Sequence, residues 1–253
     1  MKFMKQEEIF IKSTLDNSLQ PSLLYRSKNS GRPLLVGLHT WSYDRYNQVY
    51  DMVESAEKYD FNLILPEFRG PNLAENPIRT EACGSLLAKQ DIKDAVDYCV
   101  KEYDIDTENI FLLGASGGGH MALLMAGFCP EYFKAVGAFV GITDLEKWAQ
   151  YSEEYREHIF ACCNNDKEEM KKRSPMNYIE TIAKANLKIF HGKYDNSVPF
   201  MHSMNLYNAI IKDYPDARVY LEIFDGGHTM DMEDAMRWIL SQYKKVEKKA
   251  VTG

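Results

Sequence analysis

A serine with glycines two residues to either side follows an apolar segment and precedes a segment expected to form a helix. Residues 109–113 read NIFLL, and the next five read GASGG, with Ser116 at their centre. The order of strand, tight turn and helix around G-x-S-x-G exposes a serine hydroxyl at the end of a sheet. Larger side chains at the glycine positions would collide with the neighbouring strand and helix. The pattern predicts that Ser116 is the nucleophile of an acyl transfer; the alternative is a glycine-rich turn that binds a phosphate or only packs.

Two later segments supply the base and the acid that a serine nucleophile needs. A serine hydroxyl is a weak nucleophile at neutral pH, so a base must take its proton and an acid must orient that base. Asp195 lies in the loop after the apolar segment LKIF, and His228 follows two glycines after VYLEIF. The order serine, acid, histidine, each after a strand, fits such a site. We expect Asp195 to orient His228, and His228 to activate Ser116.

Three motifs together resemble those of a known family. G-x-S-x-G, H-G-x-x-D-x-x-V-P (residues 191–199) and G-G-H (residues 226–228) occur in this order. They resemble the catalytic domain of the prolyl oligopeptidase family and related stand-alone esterases, from about Pro33 to the closing helix. The resemblance implies an α/β-hydrolase fold, with Ser116, Asp195 and His228 as nucleophile, acid and base. His191, which precedes the acid, is expected to fix its loop.

Two backbone amides must stabilise the oxyanion of the tetrahedral intermediate. One is expected from Gly117, directly after the nucleophile. The other is expected from the loop after PLLVGL (residues 33–38), where His39, Thr40 and Trp41 follow. Relatives usually have His-Gly there, so Thr40 departs from the pattern. We assign the second donor to the Trp41 amide, with the Thr40 amide as the fallback.

Three side chains are candidates for substrate binding. Tyr43, close to Trp41, could form an apolar wall, unless it packs on a neighbouring loop. Arg69 could hold a carboxylate or a sugar hydroxyl at the rim of the site, and a structural salt bridge is the alternative. Trp148 belongs to a polar, aromatic segment placed where this fold carries lids, so it could close over a substrate. Packing within an amphipathic helix would explain Trp148 equally well.

The motifs favour a serine hydrolase that cleaves a small-molecule ester or an acylated sugar. The chain is too short to contain the N-terminal propeller of the family's larger peptidases, and no acidic pair for a free N-terminus can be located in the sequence. A peptidase acting on short peptides or amides is the alternative within the family. A non-catalytic binding protein on the same fold and an acyltransferase remain open.

Alternating apolar and amphipathic segments predict an α/β fold with a mostly parallel sheet of about eight strands, flanked by helices. We expect one domain over residues 1–253, with a small lid-like insertion around 144–180. Ligands of such sheets bind at the carboxyl ends of the strands. The predicted elements are an N-terminal hairpin (9–14 and 22–26) and helices over 46–59, 90–103, 117–128 and 232–249.

Charge and composition narrow the classes of partner. The net charge of −7 argues against a phosphate backbone as ligand. The N-terminus contains no apolar stretch that would act as a signal peptide or a membrane anchor. Five cysteines without ligand spacing predict reduced thiols. We therefore expect a soluble, cytoplasmic protein that binds a small ester or short peptide without metal or cofactor; a homodimer stays open.

Overall fold

The computed structural model describes residues 4–243, and within them eight strands form one sheet. The strands are β1 (Gln6–Lys12), β2 (Leu19–Tyr25), β3 (Arg32–Leu38), β4 (Asn62–Pro66), β5 (Ile105–Ala115), β6 (Ala135–Phe139), β7 (Leu187–Gly192) and β8 (Val219–Phe224). Their order is β1-β2-β4-β3-β5-β6-β7-β8. Strands β3 to β8 run parallel, whereas β2 pairs antiparallel with both β1 and β4. The predicted mostly parallel, eight-stranded sheet is confirmed.

Helices cover both faces of the sheet. They are α1 (Val49–Tyr59), α2 (Leu86–Glu102), α3 (Gly117–Phe128), α4 (Leu145–Tyr151), α5 (Glu153–Cys162), α6 (Lys167–Lys172), α7 (Ile179–Ile182), α8 (Met201–Asp213) and α9 (Met232–Gln242). Helices α2, α3, α7 and α8 pack on one face, and α1 and α9 pack on the other. Strand β5 contributes to both cores, because Leu112 faces one and Phe111 and Leu113 face the other. This alternation is the two-residue period of a strand.

Three helices differ in extent from the prediction. Helix α1 begins at Val49, three residues later than predicted. Helix α2 begins four residues earlier than predicted, because the Ser85 hydroxyl accepts a hydrogen bond from the Ala88 amide (3.0 Å) and caps the helix. The predicted closing helix over 232–249 is described as α9 up to Gln242, and its remainder from 244 onward lies outside the described residues.

The segment predicted as a lid forms helices α4 to α7 between β6 and β7. Its apolar side chains pack against Trp41 and Cys83 in a third buried cluster, which includes Leu145, Trp148 and Ile159. The segment is therefore part of the folded core above the carboxyl ends of the strands. All five cysteines are free thiols. Among residues 4–243, no helix is long and apolar enough to cross a bilayer.

Candidate active site

Ser116 occupies the sharp turn between β5 and α3. Its backbone lies at φ 56° and ψ −117°, a conformation that costs energy for a residue with a side chain. The turn is compact because Gly118 has no side chain: a Cβ there would lie 2.5 Å from the Leu38 carbonyl oxygen. The Ser116 amide donates to the Phe139 carbonyl (2.9 Å). Ser116 lines a cavity of about 340 Å³.

Asp195 lies in the loop after β7, with its side chain fully buried. Its Oδ1 accepts hydrogen bonds from the Ser197 and Val198 amides (2.9 Å each). Its Oδ2 lies 2.7 Å from Nδ1 of His228. Burial acts to raise the pKa of Asp195, but hydrogen bonds from His191, His228 and the Val198 amide outweigh it and hold the pKa well below its ordinary value. Asp195 is therefore ionised at neutral pH.

His191 connects the Asp195 loop to helix α8. Its Nε2 lies 2.8 Å from the Val198 carbonyl oxygen and 3.2 Å from Oδ2 of Asp195. Both partners only accept hydrogen bonds, so Nε2 carries a proton. In the neutral ring Nδ1 then accepts from the Ser203 hydroxyl, 2.7 Å away. The ring is completely buried and fixes the loop, in agreement with the prediction for His191.

His228 lines the same cavity as Ser116. Since an ionised carboxylate only accepts, Nδ1 of His228 donates to Asp195, which leaves Nε2 of a neutral ring free to accept a proton. The side chain is 27% exposed. Among the described residues no hydrogen bond joins Ser116 to His228, and in unliganded sites such contacts often tighten only when a substrate is bound.

A pair of backbone amides lies beside Ser116. A Cβ on Gly117 would come within 2.4 Å of the Trp41 amide nitrogen, so the glycine permits the loop after β3 to approach the start of α3. Neither the Trp41 nor the Gly117 amide makes a hydrogen bond among residues 4–243. The Thr40 amide, in contrast, donates to Oδ1 of Asn47 (3.0 Å). Thr40, the fallback donor of the sequence prediction, is therefore engaged, whereas the Trp41 and Gly117 amides have no hydrogen-bond partner among the described residues.

The cavity walls combine aromatic, aliphatic and acidic side chains. Tyr43 is 61% exposed and lines the cavity, where the sequence predicted an apolar wall. Tyr155 from α5, Val140 and Met230 also line it. Asp51, in the first turn of α1, is the one carboxylate among the lining side chains described. Sequence reasoning missed Asp51, because nothing in its local sequence distinguishes it from other surface acids.

Arg69 does not lie at the rim of this cavity, and the prediction that it binds substrate is wrong. Its side chain is buried and forms ion pairs with Asp16 (2.8 Å), Asp91 (2.5 Å) and Glu81. The cluster connects the N-terminal hairpin to helix α2. Burial lowers the pKa of Arg69, but the hydrogen bonds that Arg69 donates to Asp91 and Asp16 outweigh it and raise the pKa above its ordinary value. The structural salt bridge, the alternative for this residue, is what the structure contains.

Trp148 likewise does not reach the cavity, which corrects its predicted contact with substrate. It is buried and packs edge-on against Trp41 with ring centroids 4.9 Å apart. It also stacks on Tyr155 at 4.7 Å, and its Nε1 donates to the Ser197 carbonyl (2.9 Å). Trp148 therefore supports the cavity wall from behind and contacts the loop of Asp195. Among the described residues, no group of three or more His, Cys, Asp or Glu side chains could hold a metal ion.

Comparison with known proteins identifies the family. A family model described as "Prolyl oligopeptidase family" matches residues 88–247 of the chain. This chain belongs to the prolyl oligopeptidase family. Mouse acylamino-acid-releasing enzyme is 27% identical over 171 residues, which cover 60% of the chain and 22% of that enzyme. Feruloyl esterase B of Talaromyces funiculosus is 27% identical over 132 residues, covering 49% of the chain and 37% of the esterase.

Among solved structures, the acylaminoacyl peptidase of Pyrococcus horikoshii superposes with a TM-score of 0.81 at 22% identity. The match covers 98% of this chain and 43% of the peptidase. The likeness shows that the fold is that of an α/β-hydrolase. The chain spans about a fifth of the mouse enzyme and less than half of the archaeal one. The family and these relatives together indicate that the chain is a serine hydrolase, either a peptidase or an esterase.

Proposed function

We propose that this serine hydrolase cleaves small carboxylic esters through an acyl-enzyme on Ser116. The observation that carries the proposal is the composition of one cavity. Ser116, the ring of His228 and the residue with the unpaired amide, Trp41, all line it. A nucleophile, a base and an oxyanion donor beside a single space are the parts that acyl transfer requires.

The mechanism follows from the hydrogen bonds. Nε2 of His228 accepts the Ser116 proton as the serine oxygen attacks the acyl carbon, and ionised Asp195 stabilises the imidazolium that forms. The Gly117 and Trp41 amides donate to the oxyanion. His228 then protonates the leaving alcohol. In the second half, His228 takes a proton from the water that attacks the acyl-enzyme, and it returns that proton to the Ser116 oxygen as the bond to the acyl carbon breaks and the acid is released.

The size and lining of the cavity support a short or aromatic acyl group. Its volume of about 340 Å³ is at the lower end for ligand sites, which leaves little room for a long alkyl chain. The rings of Tyr43 and Tyr155 and the aliphatic Val140 offer apolar contacts to such a group. The similarity to a feruloyl esterase supports the same class of substrate.

A peptidase is the second candidate, and Asp51 is the observation that favours it. Its carboxylate lines the cavity and forms no ion pair among the described residues. A free carboxylate there would attract an amino group, such as the N-terminus of a short peptide. The similarity to acylamino-acid-releasing enzymes supports an amide substrate. The two candidates share the same Ser116 chemistry and differ in the leaving group.

A panel of chromogenic substrates separates the two candidates. The panel contains p-nitrophenyl acetate, butyrate and octanoate, methyl ferulate and alanine p-nitroanilide, measured with Ser116→Ala and with the exposed control Ser30→Ala. We expect acetate and butyrate to react faster than octanoate, with slow anilide cleavage, and a loss of about 10⁶ in kcat for Ser116→Ala alone. Efficient anilide cleavage with slow esters would establish the peptidase instead. Equal turnover by Ser116→Ala would eliminate Ser116 as the nucleophile.

Asp51→Asn adds a test of the acidic wall. An exposed carboxylate attracts a cation by about 0.5–1 kcal/mol, which is about two- to fivefold in kcat/KM. We expect that loss for alanine p-nitroanilide and none for its N-acetylated form. An equal effect on both substrates would show that Asp51 does not contact an amine.

A further inference from the structure

We propose that Asn47 is a positioning residue of the oxyanion site: it holds Thr40, the residue before Trp41, so that the Trp41 amide stays beside Ser116. Asn47 does not line the cavity, and no part of the sequence pattern indicates it. The inference rests on the proposed ester hydrolysis, because it concerns the donor that stabilises the oxyanion of that reaction.

Asn47 makes two hydrogen bonds to one residue of the oxyanion loop. Its Oδ1 accepts from the Thr40 amide at 3.0 Å and from the Thr40 hydroxyl at 2.8 Å. The first bond fixes the backbone of Thr40, and the second fixes its side chain. Where relatives usually have glycine, this chain therefore has a residue with a hydroxyl group that gives Asn47 a second contact. Glycine at this position would provide the amide contact only.

The opposite side of Thr40 is held by His39. Its Nδ1 lies 2.8 Å from the Thr40 carbonyl oxygen, and its Nε2 lies 2.8 Å from the Glu67 carbonyl oxygen. A carbonyl oxygen only accepts, and a neutral imidazole has one N–H, so the ring donates to one of these two oxygens at a time. The ring is buried and stacks on Phe68 with centroids 3.9 Å apart. A Cβ on Gly70 would lie 2.1 Å from the ring, so the ring has no space to tilt.

Of the four backbone groups of Thr40 and Trp41, these contacts leave one without a partner among the described residues. The Thr40 amide and carbonyl bind Asn47 and His39, and the Trp41 carbonyl accepts from the Asn72 amide at 2.8 Å. The Thr40 carbonyl and the Trp41 amide belong to the same planar peptide unit, so fixing the carbonyl also fixes the direction of the N–H. The Trp41 amide, without a partner among the described residues, lies beside Gly117. Asn47 binds the Thr40 amide, which precedes this peptide unit, whereas His39 contacts the carbonyl oxygen within the unit.

A kinetic cycle tests the role of Asn47. The variants are Asn47→Ala, Thr40→Val and the double variant, with the exposed Asn208→Ala as a matched control. Asn47→Ala removes both contacts. If the transition state loses about the net free energy of one exposed hydrogen bond, kcat with p-nitrophenyl acetate falls about three- to tenfold. KM stays within twofold, since the oxyanion forms only in the transition state. Thr40→Val alone gives a smaller loss, and in the Asn47→Ala background it adds none, because the same contact is already absent.

Fluorophosphonate labelling of the wild-type protein distinguishes the two possible failures. If the wild-type chain hydrolyses esters and is labelled, while Asn47→Ala matches its kcat, the inference about Asn47 is overturned and the proposed function stands. Independent losses in the cycle, or a rise in KM without a fall in kcat, also overturn it, since they indicate a contact with substrate. A wild-type chain that is silent on all esters and unlabelled overturns both proposals. Thermal unfolding of each variant shows that a fall in kcat is not a loss of folded protein.

Discussion

Replacing Asp195 with asparagine changes one atom of the acid and reverses the hydrogen bond to His228. The amide oxygen can still accept from the Ser197 and Val198 amides, which bind Oδ1 in the wild-type chain. The amide nitrogen then replaces Oδ2 and has only protons to offer. Nδ1 of His228, 2.7 Å away, must become the acceptor, so its proton moves to Nε2. A ring with its proton on Nε2 cannot take the proton of Ser116.

The size of the effect follows from the loss of the base. In a comparable serine triad the same replacement lowers kcat about 10⁴-fold, which is ~5 kcal/mol of transition-state stabilisation. Stability changes as well, because the pKa of Asp195 is lowered in the folded chain. A lowered carboxyl pKa stabilises the fold above about pH 4 and loses that contribution as the pH falls through the folded value. Asp195→Asn is therefore less stable than wild type at pH 7, and the difference narrows below about pH 4.

Two measurements test this reasoning. Steady-state rates with p-nitrophenyl acetate give kcat, and nitrogen-15 NMR of the histidine ring gives the tautomer of His228. Asp225→Asn is the matched control. It makes the same change of side chain, and Asp225 is exposed in the loop that precedes His228. If Asp195→Asn retained more than about a tenth of kcat, or if His228 kept its proton on Nδ1, the tautomer argument would be refuted.

Three further predictions concern separate parts of the structure. Gly117→Ala places a Cβ 2.4 Å from the Trp41 amide nitrogen and should lower kcat about 10²–10³-fold, as loss of one oxyanion donor does; a kcat near wild type would contradict the assignment. Arg69→Met leaves the buried Asp91 carboxylate unpaired, so the free energy of unfolding in urea should fall by ~3–5 kcal/mol, with kcat/KM of the folded protein unchanged. A change in KM without a loss of stability would instead indicate that Arg69 binds substrate. Burial lowers the pKa of His120 to about 4, so at this residue the unfolded chain binds more protons between about pH 6.5 and 4. As the pH is lowered through that window, this group decreases the stability by up to ~1.4 kcal/mol per pH unit, and His202, whose pKa burial also lowers to about 4, adds a similar contribution. His120→Asn should flatten this slope, and equal slopes would show that the ring is already charged in the fold.

Features set by neighbouring residues could be predicted from the sequence. The apolar run before Ser116 and the glycines around it determine a strand, a turn and a helix, and the structure contains all three in that order. The loops that contain Asp195 and His228 follow β7 and β8, and parallel strands bring their carboxyl ends together. A single residue at a helix start was harder to predict, since Ser85 caps α2 within a segment that reads as a loop.

Features set by distant residues could not be predicted. Arg69 follows β4 as a rim residue would, yet its ion-pair partners lie 53, 12 and 22 positions away along the chain. No local pattern specifies that Asp16 and Asp91 meet there. Trp148 has the composition of a lid residue, and only its packing against Trp41 shows that it is a buried support. The same limit applies to Asn47, whose partner is seven residues away in an irregular loop.

The two halves of the site are held by different contacts. Asp195 and His228 depend on the loops after β7 and β8, with His191 connecting the acid to Val198 and Ser203. The amide donors depend on the loops after β3 and β4, through the contacts of the oxyanion loop with Asn47, Glu67 and Asn72. The halves meet at the turn of Ser116, whose strained backbone belongs to both. Trp148 also connects the two halves, because its ring packs on Trp41 and its Nε1 donates to the Ser197 carbonyl in the loop of Asp195. A substitution of Trp148 is therefore expected to affect both proton transfer and oxyanion stabilisation.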